Sequence, residues 1–209
     1  MRALAALAVA LAPWACAAPG PEPPDSPGER TLFDGSTLDG WSSVSFGGEG
    51  EVELSGGELH LGFGSPLTGV VWDGPPPAGE YEIEVACRRL AGTDFFTALT
   101  FPVGDAHASV VLGGWGGALT GLSCVDGFDA SENDTRSFRS YRAGQEYVLR
   151  VAVTRDAVRA WLDGEELFSQ PRNGHRFEVR TELLACRPLG LASYNTRGAV
   201  RSVRVRERR

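Results

Sequence analysis

Apolar and polar residues alternate with a period of two in recurring segments of this chain, and that alternation predicts half-buried β-strands. Tyr81, Ile83, Val85 and Cys87 fall on one face of such a strand, with Glu82, Glu84 and Arg88 on the other. Leu149, Val151 and Val153 alternate with Arg150 in the same way. Val158, Ala160 and Leu162 alternate with Arg159 and Trp161, and Asp163-Gly164 then turns the chain into Glu165–Phe168. Val52 and Leu54 face Leu59, Leu61 and Phe63 across a Ser55-Gly56-Gly57 turn. Phe95–Val103 and Ala108–Leu112 are less polar and predict more deeply buried strands. No window of a dozen residues carries a 3.6-residue apolar period, so no long helix is expected; Val179–Cys186 suits a short one. Many short strands joined by Gly-rich turns, with no helices between them and no internal repeat, argue for an antiparallel sandwich. Its first and last strands are expected to lie near each other.

The N-terminal residues break this pattern. Residues 1–18 are Met1-Arg2 followed by an Ala/Leu/Val run, too short to span a bilayer and of the composition of a secretory leader. Cys16, after Ala15, adds lipid attachment as an option, although Pro13 stands where a lipoprotein signal favours Leu. Residues 19–30 are rich in Pro and Gly and suit a flexible tether, which leaves 31–209 as one domain. The domain is therefore expected outside the cytoplasm, in the cell envelope or secreted, meeting a membrane only through a lipid on Cys16.

Composition narrows the partners. The 209 residues hold 27 Gly and 13 Pro and carry a formal net charge of −7. An acidic chain lacks the positive footprint that nucleic acid requires, so no nucleic-acid partner is expected. Four cysteines, Cys16, Cys87, Cys124 and Cys186, show no C-x-x-C or Cys/His spacing for zinc. Without Cys16, the remaining three are either one disulfide and one free thiol or three unpaired residues of the core.

Leu32-Phe33-Asp34-Gly35-Ser36-Thr37-Leu38-Asp39-Gly40-Trp41 places two Asp-Gly turns on either side of Leu38. This stretch resembles the opening L-F-[ND]-G-x-x-L-x-G-W of the 3-keto-disaccharide hydrolase domain family. Later segments resemble that family more loosely. Tyr81–Val85 looks like its first long core strand, and Gly144-Gln145-Glu146-Tyr147 like the start of its late strand. Leu162–Leu167 resembles its Asn-Gly hairpin, and Pro188–Ala192 and Val200–Val205 its closing strands. The resemblance spans residues 31 to 207 and implies a concanavalin-like jelly roll of two antiparallel sheets in an exported bacterial protein. It departs at Gly92–Phe101, where the family has an N-S-G turn followed by an Arg-bearing strand.

The implied activity is hydrolysis of 3-keto-glycosides or 3-keto-disaccharides. A ketone at C3 acidifies the proton on C2; a base removes it, the aglycone leaves from C1, and water adds back. Such a site needs a base with a pKa near the working pH and a donor or cation facing the enolate. The family motif that would supply these groups is absent, so the candidates come from composition. Asp126–Arg136 is the densest polar run. It offers Asp126 and Asp129 as bases, with His60 a third, and Asn133 and Arg136 as sugar-binding groups; its oxygens also suit a divalent cation such as Ca²⁺, without EF-hand spacing. Gly113-Gly114-Trp115-Gly116-Gly117 either presents Trp115 to a sugar face or makes a bulge with Trp115 plugging the core. Trp72 either rims a groove or caps the core.

There is no G-x-S-x-G, phosphate loop or H-E-x-x-H. A non-catalytic carbohydrate-binding module and a ligand-free envelope protein are the competing functions, since one sandwich hosts them all.

Overall fold

In the computed structural model, which describes residues 28–208, fifteen strands and one 3-10 helix follow in order. The strands are β1 (Glu29–Phe33), β2 (Trp41–Ser43), β3 (Val52–Ser55), β4 (Glu58–Leu61), β5 (Leu67–Trp72), β6 (Glu80–Gly92), β7 (Thr97–Val103) and β8 (Ala106–Gly114). They continue as β9 (Leu119–Ser123), β10 (Ser137–Phe138), β11 (Glu146–Val153), β12 (Ala157–Leu162), β13 (Glu165–Pro171), β14 (Gly190–Tyr194) and β15 (Thr196–Arg208), with the helix, Thr181–Cys186, ahead of β14. The leader and Cys16 lie outside the described residues. β1 begins at Glu29, so the last two residues of the expected tether are in a strand, paired with Arg206 and Val205.

Two antiparallel sheets stack as a jelly-roll sandwich. One has the order β13-β12-β11-β6-β15-β4-β3, with β1 also paired to β15, and the other β10-β9-β8-β7-β14-β5-β2. The first and last strands do pair. Alternation decides the inward faces: Tyr81, Ile83, Val85 and Cys87 of β6 meet Leu149, Val151 and Val153 of β11, all buried in one core. The facing sheet supplies Leu99 and Phe101 of β7, Val110 and Leu112 of β8, and Leu191 of β14. Asp163 and Gly164 both take positive φ in the β12–β13 hairpin, as a primed two-residue turn requires. The β3–β4 hairpin also has the expected register, Val52 opposite Leu61 and Leu54 opposite Leu59. Phe63 differs: it lies beyond β4 and is exposed.

The opening segment is a latch on this core. Asp34 caps its turn through Ser36, and the Trp41 indole N–H donates to the Leu32 carbonyl at 2.9 Å. Trp72 packs against Trp41, ring centroids 5.4 Å apart, and against the core. Trp72 therefore caps the core rather than a groove: its ring is boxed in by Gly40 and Gly74, where any Cβ would lie within 2.7 Å of it.

A second, smaller cluster sits on the outer face of the β10-to-β2 sheet. Ala98, Val111 and Ala192 point outward there and are covered by Leu183 and Cys186 of the 3-10 segment, with Val179 alongside. Backbone pairing of Cys124 with Glu178 in both directions fastens the segment to the end of β9. It packs closely enough that a Cβ on Gly190 would lie 2.5 Å from the Cys186 carbonyl oxygen. The helix expected over Val179–Cys186 is a 3-10 turn, and its fixed position comes from these apolar contacts.

Candidate functional site

The β8–β9 hairpin turn carries Trp115 at the rim of this outer face. Trp115 has φ +49 and is 43% exposed, an uncommon backbone state for so bulky a residue. What holds it is Arg89, the next inward position of β6 after Cys87, only 8% exposed. The Arg89 Nη2 donates to the carbonyls of Asp94, Gly113 and Gly117 at 3.1, 3.2 and 2.9 Å. The guanidinium also lies over the rings of Phe96 and Tyr141. Asp94 completes the clamp by accepting from the Gly116 N–H. Both sequence alternatives for Gly113–Gly117 thus hold in part: the strand is bulged between Leu112 and Gly114, and the Trp115 ring is outside the core.

Trp115, Asp94, Phe95, Val111, Arg180, Glu182, Leu183 and Tyr194 line a shallow cleft of about 200 Å³, room for part of a ligand rather than a whole drug-sized one. Arg180 stands 5.9 Å from the Trp115 ring centroid. Its Nε donates to Glu182 at 2.6 Å and its Nη1 to Asp129 at 2.8 Å. Partial burial works against the charged guanidinium, but the bonds to these two carboxylates outweigh it and raise its pKa. The cleft therefore combines an aromatic face with planar groups able to donate and accept several hydrogen bonds at once.

Of the sequence candidates, Trp115 lines this cleft and Asp129 borders it through its bond to Arg180. The other loop groups are bonded away from the cleft, within the loop or to the segments beside it. Asp126 accepts from the His175 ring and from the Arg176 N–H, both at 2.7 Å. These bonds, the backbone one first, hold its carboxyl below the usual Asp range, the wrong direction for a base working near neutrality. The Asn133 amide donates to the carbonyls of Leu122, Phe128 and Asp129, and its oxygen accepts from Thr135. Arg136 donates to the Ser131 carbonyl. His60 projects from the outer face of the opposite sheet, between Glu53, Glu58 and Arg197, and does not approach Trp115. The reason is alternation: Leu59 and Leu61 fill the core, so His60 faces away from it.

The loop does not fit Ca²⁺. Two of its four carboxylates, Asp126 and Asp129, already face His175 and Arg180, and among the described residues no three His, Cys, Asp or Glu side chains converge as a metal-holding group. The three described cysteines are free, Cys87 and Cys186 in the core and Cys124 half-buried, so the disulfide alternative does not hold.

Sequence reasoning missed Asp94, Arg180, Glu182, Tyr194 and Arg89. Arg89 had a signal, a cation continuing the inward series of β6. Arg180 and Glu182 had none, because long-range pairing with Cys124 brings them in.

No family model matches the sequence, and no curated protein matches it. Solved structures do. The chain is similar to the Crh5 transglycosylase in complex with NAG, with a TM-score of 0.61 and 16% identity over 87% of this chain and 85% of that one. It is similar to the carbohydrate binding module CBM66 from Bacillus subtilis, at 0.54 and 11% over 80% and 96%. A third likeness is to SCLam, a non-specific endo-beta-1,3(4)-glucanase from family GH16, at 0.57 and 11% over 88% and 93%. At these identities the likeness is one of fold, and it makes the chain a concanavalin-like jelly-roll sandwich.

Proposed function

We propose that this protein is an exported carbohydrate-recognising sandwich whose site is the Trp115 cleft. One observation carries the reading: an exposed Trp fixed in a strained turn by a buried arginine, beside an arginine bonded to two carboxylates. An apolar ring face stacks on the C–H face of a sugar, and planar charged groups bond its hydroxyls in pairs. The solved structures of similar fold include sugar-binding and sugar-cleaving proteins, which supports a carbohydrate ligand. The apolar leader of residues 1–18 supports export, with a lipid on Cys16 as its membrane tether.

Hydrolysis of 3-keto-glycosides is the second reading, favoured by the Leu32–Trp41 opening. In it the C2 proton passes to Asp129 or Glu182, the aglycone leaves C1 with the bonding pair, and water adds to the enone. Arg180 then faces the enolate. Binding ranks first because both carboxylates are already bonded to Arg180.

The deciding experiment measures sugar binding by calorimetry and release of the aryl group from an aryl 3-keto-glucoside, with and without chelator. Binding without release establishes a binding module, and release lost in Asp129→Asn or in Glu182→Gln establishes the hydrolase. A protein that does neither is not carbohydrate-active.

A further inference from the structure

The cleft does not account for Phe138. It is 69% exposed, the most exposed large apolar side chain among the described residues. Its place in the fold is nevertheless fixed. β10 pairs with β9 through Phe138 opposite Leu119, and the Arg139 N–H donates to the Ala118 carbonyl at 2.8 Å. The Arg139 side chain is tied to Glu165 by two bonds of 2.7 and 2.9 Å. A Phe on such a short, anchored strand cannot turn inward to hide its ring.

The register gives its face. Thr120 and Leu122 of β9 point into the core, Thr120 bonding the buried Tyr141 hydroxyl. Leu119 and Gly121 therefore point outward, as the loop residues Ala130 and Thr135 packed over Gly121 confirm. Directly opposed residues of an antiparallel pair share a face, so Phe138 shares the outer face with Leu119. Leu119 is in turn opposite Gly114, the residue before Trp115. Two strand spacings of ~4.8 Å then separate Phe138 from the base of the Trp115 turn, roughly 10 Å across the sheet.

We infer that Phe138 is a second sugar-stacking platform, and that the ligand is an extended oligosaccharide with one ring on Trp115 and another, further along the chain, on Phe138. The inference rests on the sugar-binding reading of the Trp115 cleft. Its physical basis is the backbone separation: anchor points about 10 Å apart across the sheet are too distant for one sugar ring and suit rings that are not immediate neighbours in an extended glycan. Both platforms are held by backbone bonds, so little ordering cost falls on binding. The ligand class is therefore a chain of three or more rings rather than a disaccharide.

Calorimetric titration of the full chain with gluco-, manno- and chito-oligosaccharides of increasing length tests this. Affinity for the preferred series is expected to climb between two and four rings and then level off. Phe138→Ala is expected to weaken the four-ring ligand about tenfold, the scale of one aromatic contact, and to leave one- and two-ring ligands unchanged. Phe138→Trp is expected to tighten the longer ligands, and Trp115→Ala to weaken every length. Length-independent affinity, or four-ring binding untouched by Phe138→Ala while Trp115→Ala abolishes it, overturns the second platform and spares the cleft. Absence of binding in all three series overturns both.

Discussion

Arg89, on β6, and Gly117, in the β8–β9 turn of the facing sheet, meet through a 2.9 Å hydrogen bond from Nη2 to the Gly117 carbonyl. The same nitrogen also reaches the carbonyls of Asp94 and Gly113, so one buried cation gathers the ends of two loops. Carbonyl dipoles and aromatic rings compensate its charge. Burial is the leading cause that lowers its pKa, and the guanidinium stays protonated at physiological pH.

Removing this cation should loosen the Trp115 turn and weaken the fold together. Arg89→Leu leaves three carbonyls without their donor, and we expect a loss of about 2–4 kcal/mol in urea unfolding. Acrylamide should quench Trp115 more efficiently in the variant. An ammonium also has three donors, so Arg89→Lys should recover part of the stability but not the ring contacts with Phe96 and Tyr141. Unchanged quenching in Arg89→Leu would show that the turn holds itself.

Two glycines separate backbone strain from this packing. Gly113 and Gly144 have φ +75 and +77, but a Cβ on Gly113 would lie 2.4 Å from Arg89 Nη2, whereas one on Gly144 meets nothing within 4 Å. Gly144→Ala should cost about 1 kcal/mol, the strain alone. Gly113→Ala must also push the buried guanidinium aside and should cost ~2 kcal/mol more. Equal urea midpoints for the two variants would contradict the Arg89 contact.

These relationships differ in how far the sequence announces them. Strand faces are legible because one side must be apolar: Tyr81 to Cys87 and Leu149 to Val153 sort themselves by period two. The outer face is not legible, since whether His60 or Trp115 looks toward a site depends on which sheet each strand joins. Composition misleads at Asp126–Arg136. A run of carboxylates, amide and guanidinium resembles a site, yet Asn133 and Arg136 commit their bonds to carbonyls of their own loop and of the adjoining strand β9. Sequence records the groups and not their partners. Arg180 is the converse, an unremarkable residue placed at Trp115 by the pairing of Glu178 with Cys124.

Acid should release one end of that pairing. Asp126 accepts from the Arg176 backbone and His175, and these bonds lower its pKa from 3.8. A carboxyl with a depressed folded pKa stabilises above its unfolded value and loses that contribution as pH falls through the folded one. Protection of the Arg176 amide against hydrogen exchange should therefore persist near neutrality and fall below pH 3.8, ahead of the core amide of Val151. Asp126→Ala should already lack that protection at neutral pH. Equal Arg176 protection in the variant and the parent at neutral pH would rule out the carboxylate as the fastener.

Thiol reactivity gives an independent check on the packing around the cleft. Burial pushes the Cys87 thiol up to about 12 and pushes Cys186 to about 12 as well. Cys124 is also raised, chiefly by partial burial, but it lines a second, neighbouring depression with Asp129, Glu178 and Arg180. Since the thiolate is the nucleophile, iodoacetamide at neutral pH should modify Cys124 slowly and leave Cys87 and Cys186 untouched in the native protein. All three should react in denaturant. Peptide mapping by mass spectrometry reads each cysteine separately, so the state of Cys16 does not interfere. Cys124→Ser should leave the native domain inert. Because Cys186 reaches solvent only if the 3-10 segment lifts from β14, modification of Cys186 at the rate of Cys124 would mean that the segment does not stay seated on the sheet.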